Sequence, residues 1–210
     1  SSDMHISGYS QAGGTFTGDN IHWMNLYGNG SFGVITSRVL KIRTYDSVIT
    51  TSQSYWEPRE LCVEGNTILN KKARYYIDDY GGPQNYILTI NGSLKFAPSV
   101  NFQILYRNSG NQNPCTAWLL GSGYLEKIHF SPYTETCRIH QDSVLSIGNL
   151  TFDIPSYTRT PDMYLVSDLN IINQFSITNS DPDYTAIFDI NGYNITAPSI
   201  TIGARFNFQC

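Results

Sequence analysis

Five glutamates, Glu57, Glu60, Glu64, Glu126 and Glu135, are the residues of this chain best suited to acid–base chemistry. Such chemistry needs groups that converge with matched pKa values, for example two carboxylates facing each other across a cleft. Glu126 lies on an alternating segment with Tyr124 and Ile128 and could face a cleft, but no partner carboxylate is identifiable. The histidines His5, His22, His129 and His140 form no His-x-His and no i,i+4 pair. Each reads as a strand or surface residue, and a metal site would need three of them to converge from distant strands. There is no Gly-x-Ser-x-Gly elbow, P-loop or His-Glu-x-x-His. The chain therefore reads as a non-enzyme without a cofactor or metal.

The cysteines are Cys62, Cys115, Cys137 and Cys210, and none belongs to a Cys-x-x-Cys pair. Four dispersed cysteines in a chain of low charge are expected to form about two disulfides in an oxidising compartment. Three pairings exist. Cys115 with Cys137, which would close a modest loop across adjacent strands, is the preferred pair.

Aromatic and neutral polar groups remain, and these are the materials of sugar recognition. A sugar ring has an apolar C–H face and a rim of hydroxyls, so a flat aromatic surface with a few polar neighbours can hold it. Two segments have that make-up. Tyr55, Trp56, Glu57 and Arg59 surround Pro58 just before Cys62, and Asp78, Asp79, Tyr80 and Asn85 flank the flexible Gly81-Gly82-Pro83. Trp56→Ala is expected to weaken ligand binding without unfolding the chain. Trp118 reads as core and Trp23 as ambiguous.

Charged residues make up 14% of the 210, against roughly 25% in a typical soluble protein. Tyr, Phe, Ser, Thr and Asn fill the gap. The net charge is −4 and the longest basic run is Lys71-Lys72, which argues against nucleic acid and against an anionic membrane surface. No apolar stretch reaches the roughly 18–20 residues that span a bilayer. The chain opens at Ser1-Ser2-Asp3 without a basic-then-apolar leader, as an exported protein would after processing.

Period-two alternation dominates the chain. Strands are expected at Val39 to Tyr45, Tyr86 to Ile90, Val100 to Arg107, Tyr124 to Phe130, Leu150 to Ile154, Leu169 to Ile177 and Tyr184 to Ile190. A last strand carries Ile200, Ile202, Ala204, Phe206 and Phe208 on one side. Gly, Pro, Asn and Asp punctuate them. Helix is expected to be small, at Asp142 to Ile147 and Glu57 to Leu61. Ile90-Asn91-Gly92 followed by Ala97-Pro98-Ser99-Val100 recurs as Ile190-Asn191-Gly192 and Ala197-Pro198-Ser199-Ile200. Asn-Gly suits a type I′ hairpin turn, so the repeat reads as one hairpin design used twice. Many short strands make a single all-β domain over 1–210, an antiparallel β-sandwich or Ig-like jelly roll.

Phe152-Asp153-Ile154-Pro155 leading to Tyr164, and Ile202-Gly203-Ala204-Arg205-Phe206, resemble segments of the receptor-binding domain of the bacterial P-pilus tip adhesin. The resemblance covers about the last quarter of the chain. It implies a lectin-type domain at a pilus tip, outside the cell, that attaches to a host glycan or glycoprotein. A pilin-like domain completed by donor-strand addition would follow it. The chain's close on Cys210 fits an N-terminal domain of that kind. Two alternatives stand beside it. Formal glycosylation sequons at Asn29, Asn91, Asn149 and Asn194 would suit a secreted eukaryotic or viral glycoprotein domain. The segment Arg74 to Gly81 resembles a strand of small xylanases and would suit a jelly-roll glycoside hydrolase, although Arg74 stands where the catalytic acid should be.

Overall fold

Alternation does produce strands, but each strand finds its partner about one coil away in sequence rather than across a hairpin. The structure, a computed structural model, describes residues 2–7, 21–32, 41–51, 60–69, 74–79, 86–98, 103–108, 115–132, 137–154, 162–180, 183 and 185–210. For 2–7, 21–32, 41–42, 46–51, 74–79, 103–108, 115, 131–132 and 154 the course of the backbone is described.

The chain begins with β1 (Ser2–Ser7), β2 (Ile21–Phe32) and β3 (Lys41–Thr51). Two coils of three strands follow: β4 (Glu60–Val63), β5 (Asn66–Leu69) and β6 (Arg74–Asp79), then β7 (Tyr86–Ile90), β8 (Ser93–Phe96) and β9 (Gln103–Asn108). Next come three coils in which the last two strands merge into one. These are β10 (Cys115–Leu120) with β11 (Tyr124–Pro132), β12 (Cys137–Gln141) with β13 (Ser146–Ile154), and β14 (Met163–Leu165) with β15 (Leu169–Asn179). The chain closes with β16 (Ala186–Asp189), β17 (Ile195–Thr196), β18 (Ser199–Ile202) and β19 (Phe206–Gln209).

Every pairing among the described residues is parallel. Strands stack in three columns. The first column runs β1, the starts of β2 and β3, then β4, β7, β10, β12, β14, β16 and β19. The second runs through the ends of β2 and β3, β5, β8, the starts of β11, β13 and β15, and β17. The third holds β6, β9, the ends of β11, β13 and β15, and β18. At about 4.8 Å per layer, the ten layers of the first column span roughly 43 Å. This is a parallel β-solenoid.

Because stacked strands keep register, like residues pile into rows. Leu94, Leu125, Ile147 and Ile171 form one buried row inside the second column. Leu61, Leu88 and Leu119 form another inside the first. Ile128, Leu150 and Phe175 fill the third column beside Phe130, Phe152 and Ile177. Phe152 stacks on Phe130 at 5.2 Å and meets Phe188 edge-on at 5.5 Å, pairs worth about 0.5–1.5 kcal/mol each beyond their buried area. Bulk also trades between layers: the fully buried Tyr86 lies beneath Ala117.

Corners between the first and second columns stack as well. Gly92 N donates to Val63 O, Ser93 N to Gly65 O, Gly123 N to Ile90 O and Tyr124 N to Gly92 O, all within 3.1 Å. Backbones pass so closely that a Cβ on Gly92 would lie 2.1 Å from Gly65 O, and one on Gly123 2.0 Å from Gly92 O.

Several expectations are corrected. The chain is all-β, but an antiparallel sandwich or jelly roll is excluded, because neighbouring strands run the same way and coil around one interior. Asn91-Gly92 and Asn191-Gly192 turn corners, not hairpins: β7 pairs with β4 and β10, never with β8. A tight turn does form at the second copy, where Asn191 and Gly192 have φ of 51° and 78° and Tyr193 N donates to Ile190 O. The single last strand is two, broken at Gly203 to Arg205, where Arg205 has φ of 68°. Asp142 to Leu145 is a turn leading into β13, and no described residue is helical. No described helix is therefore long and apolar enough to cross a membrane.

The two expected disulfides are not found. Cys62, Cys137 and Cys210 carry free thiols. Cys115 and Cys137 are neighbours in register on β10 and β12, yet the Cys137 thiol instead donates to Arg138 O at 3.8 Å. Coil-to-coil hydrogen bonds and stacked apolar rows provide the cohesion that disulfides were expected to supply.

Candidate functional site

The outward side of the third column gathers hydroxyl, imidazole and carboxylate groups. Alternation on β13 and β15 points Leu150, Phe152, Phe175 and Ile177 inward, which leaves Thr151, Asp153, Ser176 and Thr178 outside. In register they form two rows, His129–Thr151–Ser176–Thr201 and Asp153–Thr178. The Thr151 and Ser176 hydroxyls lie 3.0 Å apart. Asp153 Oδ1 accepts from Thr178 Oγ1 at 3.0 Å and from Ser180 Oγ at 3.1 Å. Its Oδ2 lies 4.0 Å from His129 Nε2.

Electrostatics keep this group quiet. Burial holds the His129 pKa below its usual value, and the Asp153 charge offsets that only in part. His129 is therefore neutral at pH 7, and its contact with Asp153 is not an ion pair. Asp153 is already engaged by two hydroxyls, so the group works as a hydrogen-bonded brace with polar edges. Among the described residues no three His, Cys, Asp or Glu side chains are grouped to hold a metal.

Other polar clusters sit at corners. Glu64 accepts from the Cys62 thiol at 3.0 Å and from Asn91 Nδ2 at 3.1 Å, and lies 3.8 Å from Arg43 Nε. Burial, reinforced by the Glu64 carboxylate, pushes the Cys62 thiol up to about 12, so it stays protonated and unreactive at neutral pH. Those same donors hold the Glu64 carboxyl below its usual range. On the first column Trp118 packs against His140 at 4.8 Å between ring centres, and His140 Nε2 lies 3.3 Å from Asp142 Oδ1. Trp118 is thus half-buried on the outer side, not a core residue.

Gln141 is the cluster that alternation did not reveal. It is 2% exposed and stands in the interior row after Leu119. Its Nε2 donates to Leu145 O at 2.8 Å and Asn170 O at 3.0 Å, and its Oε1 accepts from Asn170 N at 3.0 Å. A glutamine at an apolar position was the available signal, since a buried amide needs such partners.

The sequence-derived site divides between two places. Tyr55, Trp56, Glu57, Arg59, Tyr80 and Asn85 lie outside the described residues. Asp78 and Asp79 close β6, in register with Arg107 and Asn108 of β9. Glu126 serves structure: its Oε2 accepts from Phe96 N at 2.7 Å, which removes the cleft acid a jelly-roll glycosidase would need. Asn91 and Asn194, two of the sequons, are tied to Glu64 and Asp168. The pilus-adhesin resemblance, and with it the glycan-binding lectin reading, depended on a sandwich that the parallel coils replace. The glycoprotein and glycosidase alternatives fall with the same sandwich.

The fold thus defines the chain as a parallel β-solenoid with braced outer rows. No protein-family model, no curated protein and no solved structure matches it.

Proposed function

We propose that the chain is a structural shaft segment that spaces and displays its outer surface, and not a catalyst. The observation that carries this reading is the parallel stack, ten layers deep in the first column, with apolar rows buried inside the coils from β4 to β16 and Thr, Ser and Asp rows outside the third column. A solenoid in which each coil contacts its neighbours gains length with every coil added and resists bending, because the hydrogen bonds between layers run along its axis. The polar clusters favour this use: Asp153, Glu64, Glu126 and Gln141 each make at least one hydrogen bond to a neighbouring coil. Nucleic acid is an unsuitable partner for a chain of net charge −4. An extracellular setting suits a shaft of low charge that is rich in neutral polar groups.

Small-angle X-ray scattering tests the reading. A shaft gives a pair-distance distribution skewed to long distances, with a cross-section that stays constant as the protein is warmed toward unfolding. A symmetric distribution of a compact particle would defeat it.

A further inference from the structure

β15 carries one residue more than the coils on either side of it. Below, Ile147 pairs with Ile171 but Asn149 with Gln174, so Gly148 faces both Ile172 and Asn173. Above, Asn170 pairs with Thr196 and Gln174 with Ser199, so Ala197 and Pro198 face the three residues Ile171 to Asn173. Neither layer gives the extra residue a ladder partner, and Pro198 has no N–H to offer. The corner spacing shows the same surplus. Two residues separate inward Leu125 from Ile128 and inward Ile147 from Leu150, whereas three separate Ile171 from Phe175. The chain also holds two isoleucines at this point. Ile171 is 1% exposed and fills the interior row, while Ile172 stands outside at 44%.

We infer that the bulge at Ile172 and Asn173 has a second position open to it, and that Gln141 selects between the two. Moved to Asn170 and Ile171, the extra residue leaves Leu169 and Phe175 in place and puts Ile172 into the row of Leu94, Leu125 and Ile147. Two residues then separate Ile172 from Phe175, the spacing of the coils below. Either isoleucine fills the interior row, so apolar burial hardly distinguishes the two states. Hydrogen bonds do. Gln141 is 2% exposed. Its Nε2 donates to Leu145 O at 2.8 Å and to Asn170 O at 3.0 Å, and its Oε1 accepts from Asn170 N at 3.0 Å. Both backbone groups of Asn170 are thus held in the position that leads to an inward Ile171. With the bulge at Asn170 those groups turn away, and a buried amide is left without partners. The interior has no other need of a polar group here, since Leu119 fills the same place in the coil below, in register with Gln141. The device depends on the parallel stack and not on the shaft reading.

Methyl NMR of isoleucine-labelled protein tests it, with Ile171→Val and Ile172→Val assigning the signals. In the wild-type chain the Ile147 methyl should meet that of Ile171, and the register with Ile172 inward should be a minor state of about 0.1–10%. Gln141→Leu should make that register the major one. The Ile147 contact then passes to Ile172, and Ile171 becomes accessible to a soluble paramagnetic probe. A folded Gln141→Leu protein that keeps the Ile171 contact would overturn the inference. Should Gln141→Leu not fold, deletion of Asn173 from it decides, because two residues then separate Ile171 from Phe175 and the first register is fixed. A folded double variant with the Ile147–Ile171 contact supports the device, and one that stays unfolded overturns it.

Discussion

At the scale of single residues, polar groups in this molecule work as ties between coils. Asp153 gathers Thr178 and Ser180 from the next layer, Glu64 gathers Asn91, and Gln141 gathers Asn170. His129 is the exception, because burial lowers its pKa and costs it a proton on folding. The sign follows. The unfolded chain binds that proton more tightly, near the ordinary value of about 6.5, so stability falls as pH drops through that value. The urea midpoint should therefore decline between about pH 7 and pH 5.5, and His129→Gln should flatten that decline. An unchanged slope in the variant would show that His129 does not titrate in this way. Glu64, whose pKa is lowered, acts in a separate window: its contribution is present above its unfolded pKa and is lost in more acidic solution. The two effects can thus be separated by pH alone.

At the scale of elements, the strands were legible and their partners were not. Alternation marks Tyr86 to Ile90 as a strand, which it is, and marks the segments within β11, β13 and β15 in the same way. Alternation reports which face of a strand is buried, but a coil and a hairpin bury the same face. The repeat was hidden because coils differ in length. Glu60 pairs with Ile87, Tyr86 with Ala117 and Cys115 with Cys137, offsets of 27, 31 and 22 residues. What does recur is the corner, and the Asn-Gly repeat marked two corners one hundred residues apart. The braces were illegible because Asp153 and Gln141 depend on residues 25 to 29 positions away. Corner geometry carries its own prediction. Gly92→Ala should destabilise by about 3 kcal/mol, because the Cβ meets the Gly65 backbone. Gly192→Ala, where the space is open and only the positive φ objects, should cost about 1 kcal/mol. Denaturant melts of the two variants check the order, and equal losses would mean that close stacking at the Gly92 corner is not the constraint.

At the scale of the whole molecule, parallel stacking explains the other features together: rows of like side chains, glycine corners, and amide and carboxylate ties. It also explains how a chain with free thiols at Cys62, Cys137 and Cys210 can hold many short strands, since each coil is the template for the next. Strand direction is therefore the property on which the account stands. Nuclear Overhauser contacts in isotopically labelled protein read it directly. Parallel coils predict amide-to-Hα contacts along Leu94, Leu125, Ile147 and Ile171, and no close Hα–Hα pair between Thr89 and Leu94. A close Hα–Hα contact between Thr89 and Leu94, the signature of an antiparallel hairpin across Asn91-Gly92, would contradict it.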